Sequence, residues 1–198
     1  MKKTPTGIAI FIAIALFCCA CRGQSVAGVS SQQPNTGQTA PAAGELHYKA
    51  PDGWVAAQPS SKMRVAQFKL PKADGDNEDA ELVIYFFGAT QGGTIQANID
   101  RWIAQVQQPD GSSSKDKAKT ETTTINSLKV TTVDLAGTYT AEMAPGTGNQ
   151  RNDANYRLRA AVIETPKGNY FLKLVGPAKT VARWDQSVTN FVKSVEFR

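Results

Sequence analysis

The chain is poor in the residues that carry most reactive chemistry. Its three cysteines, Cys18, Cys19 and Cys21, all lie in the first 21 residues, and His47 is the only histidine among 198 residues. Zinc sites are built mainly from Cys and His, and nucleophile triads rest on a His base. Residues 45–198 hold no Cys and one His, so a zinc site finds too few of these ligands and a triad would have to rest on His47 alone; they contain no Gly-x-Ser-x-Gly elbow. A disulfide framework, the usual support of small secreted domains, is also missing there. That part must be held by hydrophobic burial, and its 154 residues suffice for a core. The longest apolar run, Gly7–Ala20, is 14 residues long, short of the ~20 needed to cross a bilayer as a helix. No cofactor and no enzymatic activity are expected.

What is present begins at the front. Lys2 and Lys3 precede the apolar run GIAIFIAIALFCCA, which ends on the cysteine cluster. A basic head, a short apolar stretch and small residues at the cut make a secretory signal. The cut site resembles the lipobox of bacterial lipoproteins, in which the mature chain begins on a lipid-bearing Cys. Cys21 is favoured because Ala20 precedes it, although Cys18 stands where Leu is usual. Cys19 is the alternative, with Leu16 three residues before it. This resemblance implies a signal over 1–20 and a membrane contact through the lipid. It places the chain in the bacterial cell envelope, facing the periplasm or the exterior. Arg22 is not the aspartate that retains many lipoproteins on the inner membrane, which favours the outer one.

Residues 21–44 then form a lipidated Cys and a tether. RGQSVAGVSSQQPNTGQTAPAAG has one charge and no aromatic, Leu or Ile, too little apolar area to offset ordering. As a coil it would span about 25–30 Å.

Residues 45–198 read as a single α+β domain. Leu46–Tyr48 is a short strand before the turn Pro51–Asp52–Gly53 and Trp54. Residues 63–70 alternate, with Arg64, Ala66, Phe68 and Leu70 on one side. Residues 80–87 (AELVIYFF) form a short, nearly continuous apolar run closed by Gly88, a buried central strand. The period then changes. Ile95, Ile99, Trp102, Ile103 and Val106 share one helical face over 94–106, with Thr94 as N-cap. Residues 107–124 read as a long polar loop. Strands follow at 128–139, 156–165 and 170–175, the last two joined through Pro166–Lys167–Gly168–Asn169. A second helix runs from about 177 to 195, with Val181, Trp184, Val188, Phe191, Val192 and Val195 on its apolar face. Antiparallel strands with inserted helices argue a mostly antiparallel sheet packed with an early and a C-terminal helix.

The element order, the opening APDGW, the late strand YFLKLVGP and the closing helix are similar to the PsbP-like sandwich fold. That group includes photosystem II extrinsic subunits, Mog and DcrB-type bacterial lipoproteins. The resemblance implies an accessory or binding role, and it supplies no catalytic residue.

Three constellations could still carry chemistry. Asp74, Asp76, Glu78 and Asp79 cluster in KADGDNEDAE, and alternate carboxylates can wrap Ca²⁺. Counted from Asp74, however, Asp79 stands where an EF-hand needs Gly and Tyr85 where it needs Glu, so a solvated loop is the plainer reading. Gly88 to Gly93 has phosphate-loop spacing before a helix, but Thr94 replaces the lysine. Gly92, Gly93 and Thr94 could hold an anion only at the helix N-terminus. His47 sits in the first strand and reads as a half-exposed strand residue. Trp54, Trp102 and Trp184 read as core. The net charge of +5 falls to +3 once Lys2 and Lys3 leave. Its basic residues gather late: Lys115, Lys117, Lys119, Arg151, Arg157, Arg159, Lys173 and Lys179. A basic face suits an acidic partner or anionic lipid; no nucleic-acid motif is present. The expected function is a non-enzymatic, lipid-anchored envelope domain that binds a protein partner. The alternative is a lipoprotein binding a small ligand or an ion such as Ca²⁺.

Overall fold

The structure, a computed structural model, describes residues 44–142 and 148–198. The cysteines and all of the tether but Gly44 lie outside them. The described residues order as β1 (Leu46–His47), β2 (Val55–Ala57), β3 (Arg64–Leu70), β4 (Ala80–Phe86), α1 (Ile95–Ala104) and β5 (Val106–Gln107). Then follow α2 (Ser114–Lys117), β6 (Lys119–Ile125), β7 (Leu128–Tyr139), β8 (Asp153–Thr165) and β9 (Gly168–Pro177). The chain ends with α3 (Ala178–Arg183), α4 (Asp185–Lys193) and β10 (Glu196–Phe197). One antiparallel sheet runs β2-β3-β4-β9-β8-β7-β5, with β6 also paired to β7, and β1 pairs β10 apart from it. The fold class is α+β with a mostly antiparallel sheet.

The sheet is covered on both faces, which explains its apolar central strands. On one face Leu70, Leu82, Ile84, Ala161, Ile163, Leu172 and Leu174 meet Val181, Val188, Phe191 and Val195. On the other, Leu135, Leu158, Val162 and Phe171 meet Ile99, Trp102 and Ile103 of α1. Strand alternation sends odd and even residues to opposite layers. The run AELVIYF at β4 is buried as expected, between β3 and β9. Trp102 is fully within the core, whereas Trp54 and Trp184 are half-buried. Each of those two uses its indole N–H, to Ser187 Oγ at 3.3 Å and to the Pro71 carbonyl at 2.8 Å. A ring with one polar atom settles where one edge stays wet.

Four expectations need correction. The polar stretch 107–124 is not a loop throughout: α2 and β6 lie in it, and β6 pairs β7 through all seven of its residues. Asn126 and Ser127 take φ of 47° and 67° between those strands, the left-handed pair of a two-residue hairpin turn. Val106 leaves the helix and begins β5 against Tyr139. Gly137 permits this approach, since a Cβ there would lie 2.5 Å from the Gln107 carbonyl. The closing helix breaks at Trp184 into α3 and α4, and Pro177 both ends β9 and stands at the N-cap of α3. Finally, Arg157 and Arg159 of β8 lie under α4. Arg157 pairs Asp134 at 2.6 Å and Asp185 at 3.0 Å, and Arg159 pairs Asp185 at 2.9 Å. This four-charge cluster anchors the start of α4 on the sheet. Its hydrogen bonds to Asp134 above all raise the Arg157 guanidinium further beyond its ordinary range.

Candidate functional site

Strand β9 carries one residue that its pattern does not call for. Phe171, Lys173 and Val175 point to the α1 face, between the opposite-facing Tyr170, Leu172 and Leu174. Lys173 thus places an ammonium in the centre of a sheet covered on both faces. Its neighbours across the strands are Val83 and Ala160. Nζ donates to Gln105 Oε1 at 2.5 Å and to Tyr139 Oη at 2.8 Å. An ammonium has three donors, and among the described residues no carboxylate lies within ion-pair distance of it. Burial, reinforced by repulsion from Arg101 and then Arg151, pulls it from 10.5 to about 8. Burial likewise pushes the Tyr139 hydroxyl up to about 12 and raises Tyr85.

Around Lys173 lies a cavity of about 210 Å³ lined by Tyr85, Phe87, Asn98, Arg101, Trp102, Gln105, Phe171 and Lys173. The rings form one wall. Tyr85 and Phe87 stack at 6.0 Å, Phe87 meets Phe171 at 5.6 Å, and Trp102 sits edge-on to Phe171 at 6.4 Å. Gly92 shapes this wall from behind: with φ of 98°, its absent Cβ would sit 2.8 Å from Phe171 and 3.0 Å from Phe87. Arg101 stands at the rim, exposed, with one guanidinium nitrogen donating to Asn98 Oδ1 and no ion pair among the described residues. Arg64 lies 5.6 Å over the Tyr85 ring at the far edge. The cleft is therefore cationic and aromatic, and its own residues do not neutralise it.

Two other cavities differ in this respect, whereas a third, of about 340 Å³, sets Lys117, Lys119 and Arg157 beside a single carboxylate, Asp134. A slot of about 140 Å³ under α4 is lined by Arg159, already paired with Asp185, and sets Lys119 beside Glu121 and Asp134. A wider hollow of about 500 Å³ by the acidic loop balances Lys69, Lys72 and Arg151 against Glu78, Asp79 and Glu81.

The expected site residues fall as follows. Asp76 Oδ2 accepts from the N–H and hydroxyl of Thr180, at 2.9 and 2.6 Å. Asp79 accepts from the Lys72 N–H, Glu78 pairs Arg151 at 3.2 Å, and Asp74 is exposed. Three of the four carboxylates are thus spent on partners of their own, and among the described residues no three acidic or His groups face one point. The structure does not bring Asp74, Asp76, Glu78 and Asp79 together as a calcium set. At the start of α1, Thr94 Oγ1 accepts from the Ala97 N–H at 3.1 Å, and Asn98 Nδ2 donates to the carbonyls of Gly92 and Thr94. The helix terminus is capped by its own side chain, which competes with an anion at Gly92, Gly93 and Thr94. His47 is half-buried, opposite Glu196. Cys21 and Cys19 lie outside the described residues. Sequence reasoning missed Arg101, Gln105, Tyr85 and Tyr139 and took Lys173 as one basic residue among many. The signal was there in YFLKLV, a charge at an inward position of a covered strand.

No family model matches the chain, and no curated protein matches it. Among solved structures, it is similar to a Pseudomonas aeruginosa protein of unknown function, PA94. The identity is 14%, over 73% of this chain and 97% of that one, with a TM-score of 0.43. It is also similar to CyanoP, the cyanobacterial PsbP of Synechocystis sp. PCC 6803. There the identity is 10%, over 81% of this chain and 96% of that one, with a TM-score of 0.45.

Proposed function

We propose that this chain is a lipid-anchored envelope protein whose folded domain works by binding an anionic group, without turnover. One observation supports the binding half: the Lys173 ammonium, half-buried in an aromatic cleft beside Arg101, with no carboxylate among the described residues to match it. A buried charge is costly unless something compensates it, and an anionic ligand would do so. Among the described residues lining the cleft no Ser, Cys, His or carboxylate stands beside Lys173, which favours binding over catalysis. The anchor half rests on the basic head, the apolar run and the cysteines at its end. Several acyl chains on one cysteine hold a protein stably where one chain does not.

Service to an envelope protein complex is the second reading. It is favoured by the 23-residue tether, which would let the domain reach about 25–30 Å from the bilayer. Membrane fractionation and intact mass test the anchor. Cys21→Ser is expected to move the chain to the soluble fraction, and Cys19→Ser to leave it bound. Retention of both variants, with an unmodified N-terminus, would end the lipoprotein reading. Crosslinking of the full chain in its envelope tests the partner; repeated absence of any adduct would count against it.

A further inference from the structure

The cleft can be read further, on the footing that it binds an anion at all. Three features narrow the ligand. First, the cations are placed on one side. Lys173 Nζ uses two of its donors on Gln105 and Tyr139 and has a third to give, while Arg101 stands at the rim with most of its five donors free of any described partner. Second, the remaining wall is aromatic and hydrocarbon: Tyr85, Phe87, Trp102 and Phe171. Third, the space is small. About 210 Å³ lies below the roughly 300–1,000 Å³ of sites for drug-sized ligands.

Inorganic phosphate meets only the first feature. It is strongly hydrated, and the aromatic wall returns nothing for the water it would shed. A neutral ring meets only the second and leaves the ammonium unmatched. We infer that the cleft takes a small carboxylate bearing one ring or a comparably compact apolar body. Its carboxylate accepts from Lys173 and Arg101, and its body lies against Phe87, Phe171 and Tyr85. Charge-assisted hydrogen bonds of this kind are the strong ones, and offset or edge-on ring contacts suit the aromatic wall.

Calorimetric titration of the full chain at pH 7 decides it, with phenylacetate, benzyl alcohol and inorganic phosphate as probes. Phenylacetate is expected to bind, and benzyl alcohol and phosphate to bind at least tenfold more weakly. Lys173→Met is expected to weaken phenylacetate tenfold or more. Arg101→Gln alters an exposed rim residue whose one described hydrogen bond, to Asn98, an amide can replace, so it serves as the second variant and should weaken binding several-fold. Tight phosphate with no phenylacetate binding would overturn the ligand class and leave the anion reading standing. Benzyl alcohol binding as well as phenylacetate, unchanged in Lys173→Met, would overturn both. Binding of no probe would do the same.

Discussion

Lys173 on β9 donates to the hydroxyl of Tyr139 on β7, at 2.8 Å, reaching past β8 between them. The two groups are shifted in opposite senses by the same burial, the lysine down to about 8 and the tyrosine up to about 12. Each is held toward its neutral form.

A pH dependence of stability follows. In the folded chain Lys173 loses its proton near pH 8, in the unfolded chain near 10.5. Below pH 8 both states are charged and the fold bears the cost of the half-buried ammonium, at most about 3 kcal/mol. From 8 to 10.5 the unfolded chain holds more protons, so the lysine's contribution to stability rises with pH. Tyr139 acts the other way. From about 10 to 12 the unfolded phenol ionises first and stability falls. Denaturant unfolding across pH 7–12 should show the rise, and Lys173→Met should lack it and be more stable near neutrality. A flat profile in the native sequence would contradict the burial.

The cluster of Arg157, Arg159, Asp134 and Asp185 secures α4. Asp134→Asn leaves Arg157 without its closest partner, and the guanidinium is only partly solvated. Thermal unfolding should show a loss of about 1–3 kcal/mol. Removing Arg157 as well should recover part of it, because the uncompensated charge goes too.

Trp102 belongs to the same core as Ile99, Val162 and Phe171 and is 4% exposed. Trp102→Ala should cost about 3–5 kcal/mol, measured by urea unfolding. An unchanged midpoint would remove α1 from the core.

Asp76 joins the acidic loop to the start of α3 through Thr180. Asp76→Asn should cost about 1 kcal/mol, the worth of a cap, while Asp74→Asn at an exposed position should change nothing measurable. Calcium should leave the melting temperature of the native chain where it is. A rise of several degrees would restore the loop as a calcium site.

The strands with a strong signal were legible from the residues. AELVIYF is too apolar and too short for anything but a covered strand, and Ile95, Ile99, Trp102 and Ile103 repeat at the helical period. β6 was not legible. KTETTTI is exposed at six of its seven positions, so it has no inward face to show. It is a strand because β7 offers a free ladder and Asn126–Ser127 can turn. The break at Trp184 was hidden because α3 and α4 bury residues on one continuous apolar stripe. The cleft was hidden for a different reason. Its residues come from β4, α1, β7 and β9, and only the packing of α1 on the sheet brings Arg101 and Gln105 to Lys173.

The most direct measurement is the titration of the Lys173 side chain in the full chain, followed by NMR through its ¹³Cε, with and without phenylacetate. The groups facing it are Arg101 from α1, Tyr85 from β4, Tyr139 from β7 and Arg151 beside β8; Glu81 and Asp153 lie farther off, held by Gln67 and Arg151, so a bound carboxylate would be the negative charge in direct contact with it. The expected midpoint is near 8 in the free chain, moving upward when phenylacetate is bound. A midpoint near 10.5, or one that does not move with saturating phenylacetate, would contradict an ammonium buried to meet an anion.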